Sequence, residues 1–183
     1  MISTKYIAIP VLTALLLLAG CSLLNGGAYD RTPGTMIDDV FIEGIAAREI
    51  NKSDPLLKAS NINIVSYNGL VLLTGQIQNI ELARKTEKIV LKVRKVRKVA
   101  NHLEIGVPTS YIARTNDAYL TSKVITQLLF EKDINNDDYK VLTENGVVYL
   151  MGRVTKSDSN VIVKIASHVG GVQKVVKVFE YVD

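Results

Sequence analysis

The fold is decided by two matching stretches, Tyr67-Asn68-Gly69-Leu70-Val71-Leu72-Leu73-Thr74-Gly75 and Glu144-Asn145-Gly146-Val147-Val148-Tyr149-Leu150-Met151-Gly152. They lie at a constant offset of 77 residues and share the pattern Asn-Gly-x-Val-x-Leu-x-Gly. Asn-Gly between two apolar runs is a strong hairpin signal, because both residues tolerate a positive φ. Each stretch therefore predicts a tight turn followed by a buried strand.

The repeat extends to both sides of the hairpin. Upstream, at an offset of 78, the first copy matches the second as Asp39, Ile42, Ala46 and Ile50 against Asp117, Leu120, Val124 and Leu128. Downstream, at an offset of 76, it matches as Val96, Val99 and Leu103 against Val172, Val175 and Phe179. The offset drifts by one residue at each loop, as expected of two copies of one fold.

Each copy predicts the order helix, strand, strand, helix, strand. The apolar spacing after Asp39 and after Asp117 indicates an amphipathic helix capped at its N-terminus by the acid, over 117–130 in the second copy. Strands are predicted at 62–67, 70–77, 96–105, 139–144, 147–154 and 172–182, and second helices at 80–93 and 158–169. The fold class is α+β: two tandem small αββαβ domains, each a three-stranded sheet covered on one face by two helices. Copies of about 70 residues are near the lower limit for an independent core, so we expect them to lean on each other.

The N-terminus has the features of a secretory signal. A cationic Lys5 precedes an apolar run over 6–18, which ends in Leu18-Ala19-Gly20-Cys21. The run is shorter than the roughly 20 residues of a membrane span, which disfavours a spanning helix. The Leu-Ala-Gly-Cys sequence resembles the lipobox of bacterial lipoproteins, in which the cysteine is acylated and becomes the first mature residue. An ordinary buried thiol is the alternative for Cys21.

These features divide the chain into five parts. We predict a lipoprotein signal peptide over 1–20, a lipidated flexible tether over 21–35, a first domain over 36–106, a linker over 107–115 and a second domain over 116–183. Gly26, Gly27, Pro33 and Gly34 are typical of a tether. Cys21 is the single cysteine, so no internal disulfide is expected.

The Asp-led helix, the Asn-Gly hairpin pattern and Gly171-Val172-Gln173-Lys174-Val175 together resemble the BON domain (bacterial OsmY and nodulation) over about 145 residues. Lys95 departs from the pattern, because the family has glycine there, so we expect a remodelled helix-to-strand corner in the first copy. The resemblance implies a dual-BON outer-membrane lipoprotein, lipid-anchored on the periplasmic face, that is associated with outer-membrane integrity and the division site. It also implies binding to anionic phospholipids such as phosphatidylglycerol and cardiolipin, largely through the first helix of the second domain. Ser22, where Asp would favour inner-membrane retention, agrees with the outer membrane.

The predicted lipid contact is a stripe on the 117–130 helix. At about 100° per residue, Leu120, Val124 and Leu128 share a core-facing side. A different side carries the predicted lipid-binding residues Tyr119, Lys123, Thr126 and Phe130, a composition that suits a headgroup region. The alternative is that Tyr119 and Phe130 pack against the first domain. The first copy carries Phe41, Ile45, Arg48 and Lys52 at the equivalent places, so the stripe alone does not single out one domain.

A second candidate surface is basic. Residues 36–106 have a net charge of +3, whereas residues 116–183 have a net charge of −1. Much of the excess forms a predicted auxiliary basic face on one helix side: Arg84, Lys85, Lys88, Lys92 and Lys95. It is either solvated or attracted to anionic lipid or lipopolysaccharide. Nucleic acid is not an expected partner of an exported lipoprotein.

Nothing in the sequence indicates catalysis. There is no glycine-rich phosphate loop, nucleophile elbow or paired-carboxylate motif, and His102 and His168 are expected at helix or strand ends. Asp133, Asn135, Asp137 and Glu144 have calcium-loop spacing, but Asp138 stands where that loop requires glycine. We therefore expect no enzyme, metal or cofactor. The alternative function is an interaction scaffold that binds outer-membrane assembly or cell-wall-remodelling proteins.

Overall fold

The structure is a computed structural model that describes residues 31–132 and 134–183. The predicted signal peptide, Cys21 and most of the predicted tether lie outside the described residues, as does Asp133. The first domain contains α1 (Pro33–Ser53), α2 (Pro55–Ala59), β1 (Asn61–Tyr67), β2 (Leu70–Ile77), α3 (Ile80–Val90) and β3 (Lys98–Ile105). The second domain contains α4 (Tyr111–Leu129), β4 (Tyr139–Glu144), β5 (Val147–Val154), α5 (Lys156–His168) and β6 (Lys174–Tyr181).

The predicted αββαβ order is confirmed in both domains. In each sheet the central strand pairs antiparallel with the strand before it and parallel with the last strand, in the orders β1-β2-β3 and β4-β5-β6. The short helix α2 was not predicted, and a 3-10 turn at Asn136–Asp138 takes its place in the second domain. The final strands begin two residues later than predicted, at Lys98 and Lys174, and α3 ends at Val90 rather than residue 93.

Both long helices begin before the predicted positions. The hydroxyls of Thr32 and Ser110 accept hydrogen bonds from the amides of Thr35 and Ala113, so these residues are the N-caps. Residues 33–35 of the predicted tether and 111–115 of the predicted linker are therefore helical. A hydroxyl N-cap, with Pro33 at the first position of α1, satisfies helix-end amides that would otherwise have no partner.

The prediction that Asp39 and Asp117 cap these helices was wrong. Both are buried well inside the helices, and their carboxylates accept hydrogen bonds from the hairpin turns instead. Asp39 bonds the amides of Asn68 and Gly69 at 2.8 and 3.0 Å, and Asp117 bonds those of Asn145 and Gly146 at 2.8 Å each. The acid of each copy thus ties its first helix to its hairpin.

The hairpin pattern is used as the sequence predicts. Asn68 and Asn145 have φ of 53° and 51°, and the glycines after them are also in the left-handed region. The last glycine of the pattern permits a close backbone approach. At Gly75, with φ of 111°, an added Cβ would lie 2.0 Å from the carbonyl oxygen of Asn61 on the paired strand. A residue with a side chain would separate the two strands there.

The helix-to-strand corner of the first copy is not remodelled, contrary to expectation. Lys95 has φ of 72°, which is the left-handed conformation of its counterpart Gly171, at 104°. Its ammonium forms an ion pair with Asp38 at 2.6 Å. The first copy therefore keeps the glycine-like corner with a side chain on it.

The two domains are joined through the second faces of their sheets. Helices cover one face of each sheet, with Val71 and Leu73 in the first core and Val148 and Leu150 in the second. A third cluster unites the opposite faces: Tyr67, Leu70, Leu72, Tyr149, Met151 and Val178. The layers are helix, sheet, sheet and helix, so the expectation that the copies lean on each other is confirmed.

A polar seam completes this joint at two equivalent positions. Tyr67 precedes the first turn and donates from its hydroxyl to the carbonyl of Asp137 at 3.0 Å. Glu144 precedes the second turn, and its carboxylate accepts from the amides of Asn63 and Gln76, each at 2.7 Å. Burial raises the pKa of Glu144. The last residue of β1 and the last residue of β4 are therefore each hydrogen-bonded to the other domain.

Candidate membrane-contact surface

Helix α4 presents the predicted stripe to solvent. Leu120, Val124 and Leu128 are buried in the second core, as the periodicity predicts. On another side, Tyr119 is 61% exposed and Phe130 is 81% exposed. The alternative that these two rings pack against the first domain is therefore wrong, and both are accessible to a partner.

Lys123 joins one of these rings, that of Tyr119, to the body of the domain. Its ammonium donates to the carbonyl of Gly170 at 2.9 Å and lies 5.4 Å from the centroid of the Tyr119 ring. A cation over an aromatic face is a favourable contact. Thr126 is exposed, but its hydroxyl donates to the carbonyl of Ser122 at 2.8 Å and so bonds its own helix. The stripe therefore combines two exposed rings with one positioned cation.

The structure adds Ile112 to the stripe. It lies two turns before Tyr119 on the same side of α4 and is 80% exposed. Sequence reasoning missed it because the helix was predicted to begin at Asp117. The signal was Ser110, an N-cap residue directly before the apolar pair Tyr111-Ile112. The resulting apolar row runs over most of α4, with Lys123 beside it.

The predicted basic face is divided. Arg84, Lys85, Lys88 and Lys92 line a groove of about 490 Å³ together with Ser53, Glu81 and Ile89. Lys85 is engaged with Asp54 at 2.8 Å. Lys95 lies elsewhere, paired with Asp38, because α3 ends at Val90 and the helical periodicity does not extend to it. Four cations are therefore grouped and the fifth is not.

The histidines and acids do not form a metal site in the described part of the chain. His102 lies within β3, not at a strand end as expected, and its ring meets that of Tyr149 across the joint with centroids 5.3 Å apart. Burial, with a smaller effect from Lys174, lowers the pKa of His102. His168 is the last residue of α5, as expected. Among residues 31–132 and 134–183, no cluster of three or more His, Cys, Asp or Glu is arranged to hold a metal ion.

The same described residues include no helix with both the length and the apolar character needed to cross a bilayer.

Comparison with known proteins identifies the relatives of the chain. The profile of the BON domain matches residues 38–107 and 116–183. The outer membrane lipoprotein DolP of Haemophilus influenzae is 36% identical over 182 residues, 94% of each chain. The 21 kDa hemolysin of Actinobacillus pleuropneumoniae is 30% identical over 153 residues, 84% of this chain and 79% of its own.

A solved structure of CdsD, a structural protein of the type III secretion system of Chlamydia trachomatis, aligns over 96% of this chain and 77% of its own. Its identity is 14% and its TM-score is 0.31, too low to indicate a shared arrangement. The matches to the BON domain and to the lipoprotein confirm the predicted family, repeat and outer-membrane location. The chain belongs to the BON domain family, as an outer-membrane lipoprotein with two such domains in tandem.

Proposed function

We propose that the protein is a non-enzymatic outer-membrane lipoprotein that binds anionic phospholipid through α4 and so supports outer-membrane integrity at the division site. The observation that carries the proposal is the exposed row of Ile112, Tyr119 and Phe130 with Lys123 beside it. No hydrophobic core cluster of the described domains includes these rings. In a lipid interface, the rings would enter the acyl boundary while the ammonium meets phosphate.

Anchoring and lipid recognition have separate roles in this proposal. Acylation at Cys21, which lies outside the described residues, would hold the chain at the membrane. Acyl chains do not distinguish one headgroup from another, so a preference for phosphatidylglycerol or cardiolipin would come from α4. The groove lined by Arg84, Lys88 and Lys92 would add a long-range attraction of about 1 kcal/mol per cation near the surface.

The test is cosedimentation of unacylated residues 22–183 with phosphatidylglycerol or cardiolipin vesicles at low salt. Because burial of a large apolar side chain is worth about 1.5–3 kcal/mol, we expect Tyr119→Ala with Phe130→Ala to weaken binding at least about tenfold. Both side chains are exposed, so the stability of the fold should change little. Leu91→Ala is the matched control, an exposed apolar residue on the first domain.

The outcomes distinguish the candidate surfaces. Wild-type protein that leaves the vesicles unbound would contradict the lipid proposal and favour the scaffold alternative. If Tyr119→Ala with Phe130→Ala leaves binding intact but Lys88→Glu with Lys92→Glu abolishes it, the basic groove is the contact rather than α4. Equal loss in the Leu91→Ala control would show that the effect is not specific to α4.

A further inference from the structure

The first domain exposes an apolar surface of its own at the start of α1. Ile37, Val40 and Phe41 are 57%, 67% and 63% exposed, and all three lie within the first two to three turns after Pro33. None of them belongs to a hydrophobic core cluster of the described residues. Three large exposed apolar side chains grouped on one helix end are typical of a contact surface.

Cations stand beside this surface. Phe41 lines a groove of about 200 Å³, and the other lining residues are Ile42, Ile45, Arg94, Lys95 and Asp38. Asp38 is engaged by Lys95 at 2.6 Å, whereas no ion pair within the described chain engages Arg94. The lining therefore has a net positive charge next to an aromatic ring, which complements an anionic surface.

The second domain also places a cation beside an exposed aromatic ring, but its cation comes from a different position in the repeat. Phe41 corresponds to Tyr119 at the offset of 78 residues, and Ile45 corresponds to Lys123. In the second domain the helix supplies the cation, Lys123, and the corner is Gly170-Gly171. In the first domain the helix supplies Ile45 and the corner supplies the cations.

Backbone strain at this corner points the same way. Lys95 adopts φ of 72°, a conformation that is strained for a residue with a side chain and that glycine adopts freely. Its counterpart is Gly171. Conformations of this kind are concentrated at functional sites. The strain therefore agrees with a role for the Lys95 side chain beside Phe41.

The chain enters the folded body next to this end of α1. The Arg31 guanidinium is held by Asp39 at 2.6 Å and lies 4.4 Å from the centroid of the Tyr67 ring, so the chain joins the folded body at the N-terminus of α1. The ten residues from Cys21 to Arg31 reach at most about 36 Å when fully extended. Phe41 lies about 12 Å along α1 from Pro33. An acyl anchor on Cys21 would keep the exposed start of α1 close to the bilayer.

Each long helix packs on the outer face of its own sheet. α1 packs mainly over β1 and α4 over β4. β1 and β4 meet across the joint through Tyr67 and Glu144, and Glu43 of α1 pairs with Lys140 of β4 at 3.2 Å. Glu43 therefore brings one side of α1 into contact with the second domain, while Ile37, Val40 and Phe41 remain exposed.

We propose that Ile37, Val40 and Phe41, with Arg94 and Lys95, form a second membrane contact, and that its occupant is the surface of an anionic bilayer. The inference rests on the proposed function only in placing the protein at lipid. It assigns the first domain a contact of its own, separate from α4. The anchored segment supplies proximity, and the apolar residues and the two cations supply the docking.

The test uses tryptophan reporters, since the chain contains no tryptophan. The acylated full chain is reconstituted into phosphatidylethanolamine–phosphatidylglycerol vesicles with brominated acyl chains. Phe41→Trp is the reporter for this contact, Phe130→Trp is the reporter for α4, and Val161→Trp on α5 is the control. We expect quenching of the Phe41→Trp and Phe130→Trp variants, with the Val161→Trp variant unaffected.

Each other result has a defined meaning. Quenching of Phe130→Trp without Phe41→Trp overturns this inference and leaves the proposed function standing, whereas quenching of Phe41→Trp alone does the reverse. If neither reporter is quenched, both this inference and the proposed lipid contact of α4 are contradicted. Equal quenching of the Val161→Trp control would show that the quenching is not specific to either surface. Concentration-dependent shielding of the Phe41→Trp variant in detergent, without vesicles, would assign the surface to a second copy instead.

A charge variant gives an independent measurement. Arg94→Gln with Lys95→Gly removes both cations and retains the backbone conformation, because glycine accepts the positive φ. In the Phe41→Trp background we expect the ratio of docked to undocked chains to fall at least about fivefold, the effect of losing one unpaired cation near an anionic surface. An unchanged ratio, with quenching independent of the phosphatidylglycerol content, would contradict the role of the cations.

Discussion

At the scale of single residues, one buried carboxylate organises each domain. Asp39 and Asp117 bind the amides of the hairpin turns from within the helices that pack beside them. Burial raises the pKa of Asp39, but hydrogen bonds from Ser66, from the two turn amides and from Arg31 outweigh it, so the net effect lowers the pKa. The ionised form is therefore the one the fold stabilises.

Asp39→Asn should destabilise the protein by about 2–3 kcal/mol, because the amide replaces one acceptor oxygen with a donor that faces backbone N–H groups. Urea unfolding at neutral pH measures this effect. The contribution of Asp39 is present above the ordinary carboxyl pKa of 3.8 and is lost as the pH falls through its lower folded value. The wild type should therefore lose more stability in acid than the variant does. Asp38→Asn, which breaks an exposed ion pair with Lys95, is the control and should cost under about 1 kcal/mol.

At the scale of elements, the sequence predicts what depends on local pattern. Both hairpins, the order of the elements and the buried rows of the long helices follow from Asn-Gly turns and apolar periodicity. The beginnings of α1 and α4 were missed, because the conspicuous acids Asp39 and Asp117 were assigned to the helix ends. An acid beside an apolar row fits either a helix cap or a turn contact, and only the tertiary structure distinguishes them.

Ser110→Ala tests the beginning of α4. Loss of the N-cap should lower the stability by about 1 kcal/mol and should expose the amides of the first turn to faster hydrogen exchange. The fraying would also displace Ile112 and weaken vesicle binding. Ser122→Ala, on the same helix with its hydroxyl bonded to the Ala118 carbonyl, is the control and should leave both measurements unchanged. Unaltered exchange over the first turn of α4 would show that the cap does not fix the helix start.

At the scale of the whole molecule, the joint between the sheets determines how the two domains behave. The sequence indicated that small copies would lean on each other but did not show which faces would meet. Every residue of β2 is buried, so alternation does not distinguish the side facing the helices from the side facing the other domain. Tyr67 and Glu144 each bond the other domain, so their roles cannot be predicted from one copy alone.

Glu144 should make the stability of this joint depend on pH. Burial is the largest cause of the shift, and it raises the pKa of Glu144 above the ordinary value of 4.5. The folded state therefore binds the proton more tightly than the unfolded state does. The contribution is fully present below pH 4.5 and is lost as the pH rises through the folded value.

Glu144→Gln should therefore reduce the fall in unfolding free energy between about pH 4.5 and neutrality, as measured by thermal unfolding across that range. The control is Glu180→Gln, which removes an exposed ion pair with Arg97 on the edge of the joint and should preserve the pH dependence. A profile for Glu144→Gln identical to that of the wild type would show that this carboxylate does not titrate with folding.

Because the two equivalent residues of the polar seam differ, the first and second copies cannot take each other's place. Tyr67 and Glu144 occupy the same position in their copies, yet one supplies a hydroxyl to a carbonyl and the other a carboxylate to two side-chain amides. A chain made of two first copies would lack the carboxylate, and a chain made of two second copies would lack the phenol. The halves have become complementary rather than interchangeable, so the seam encodes which copy pairs with which. Exchange of a domain between two chains would preserve the match only when a first copy meets a second.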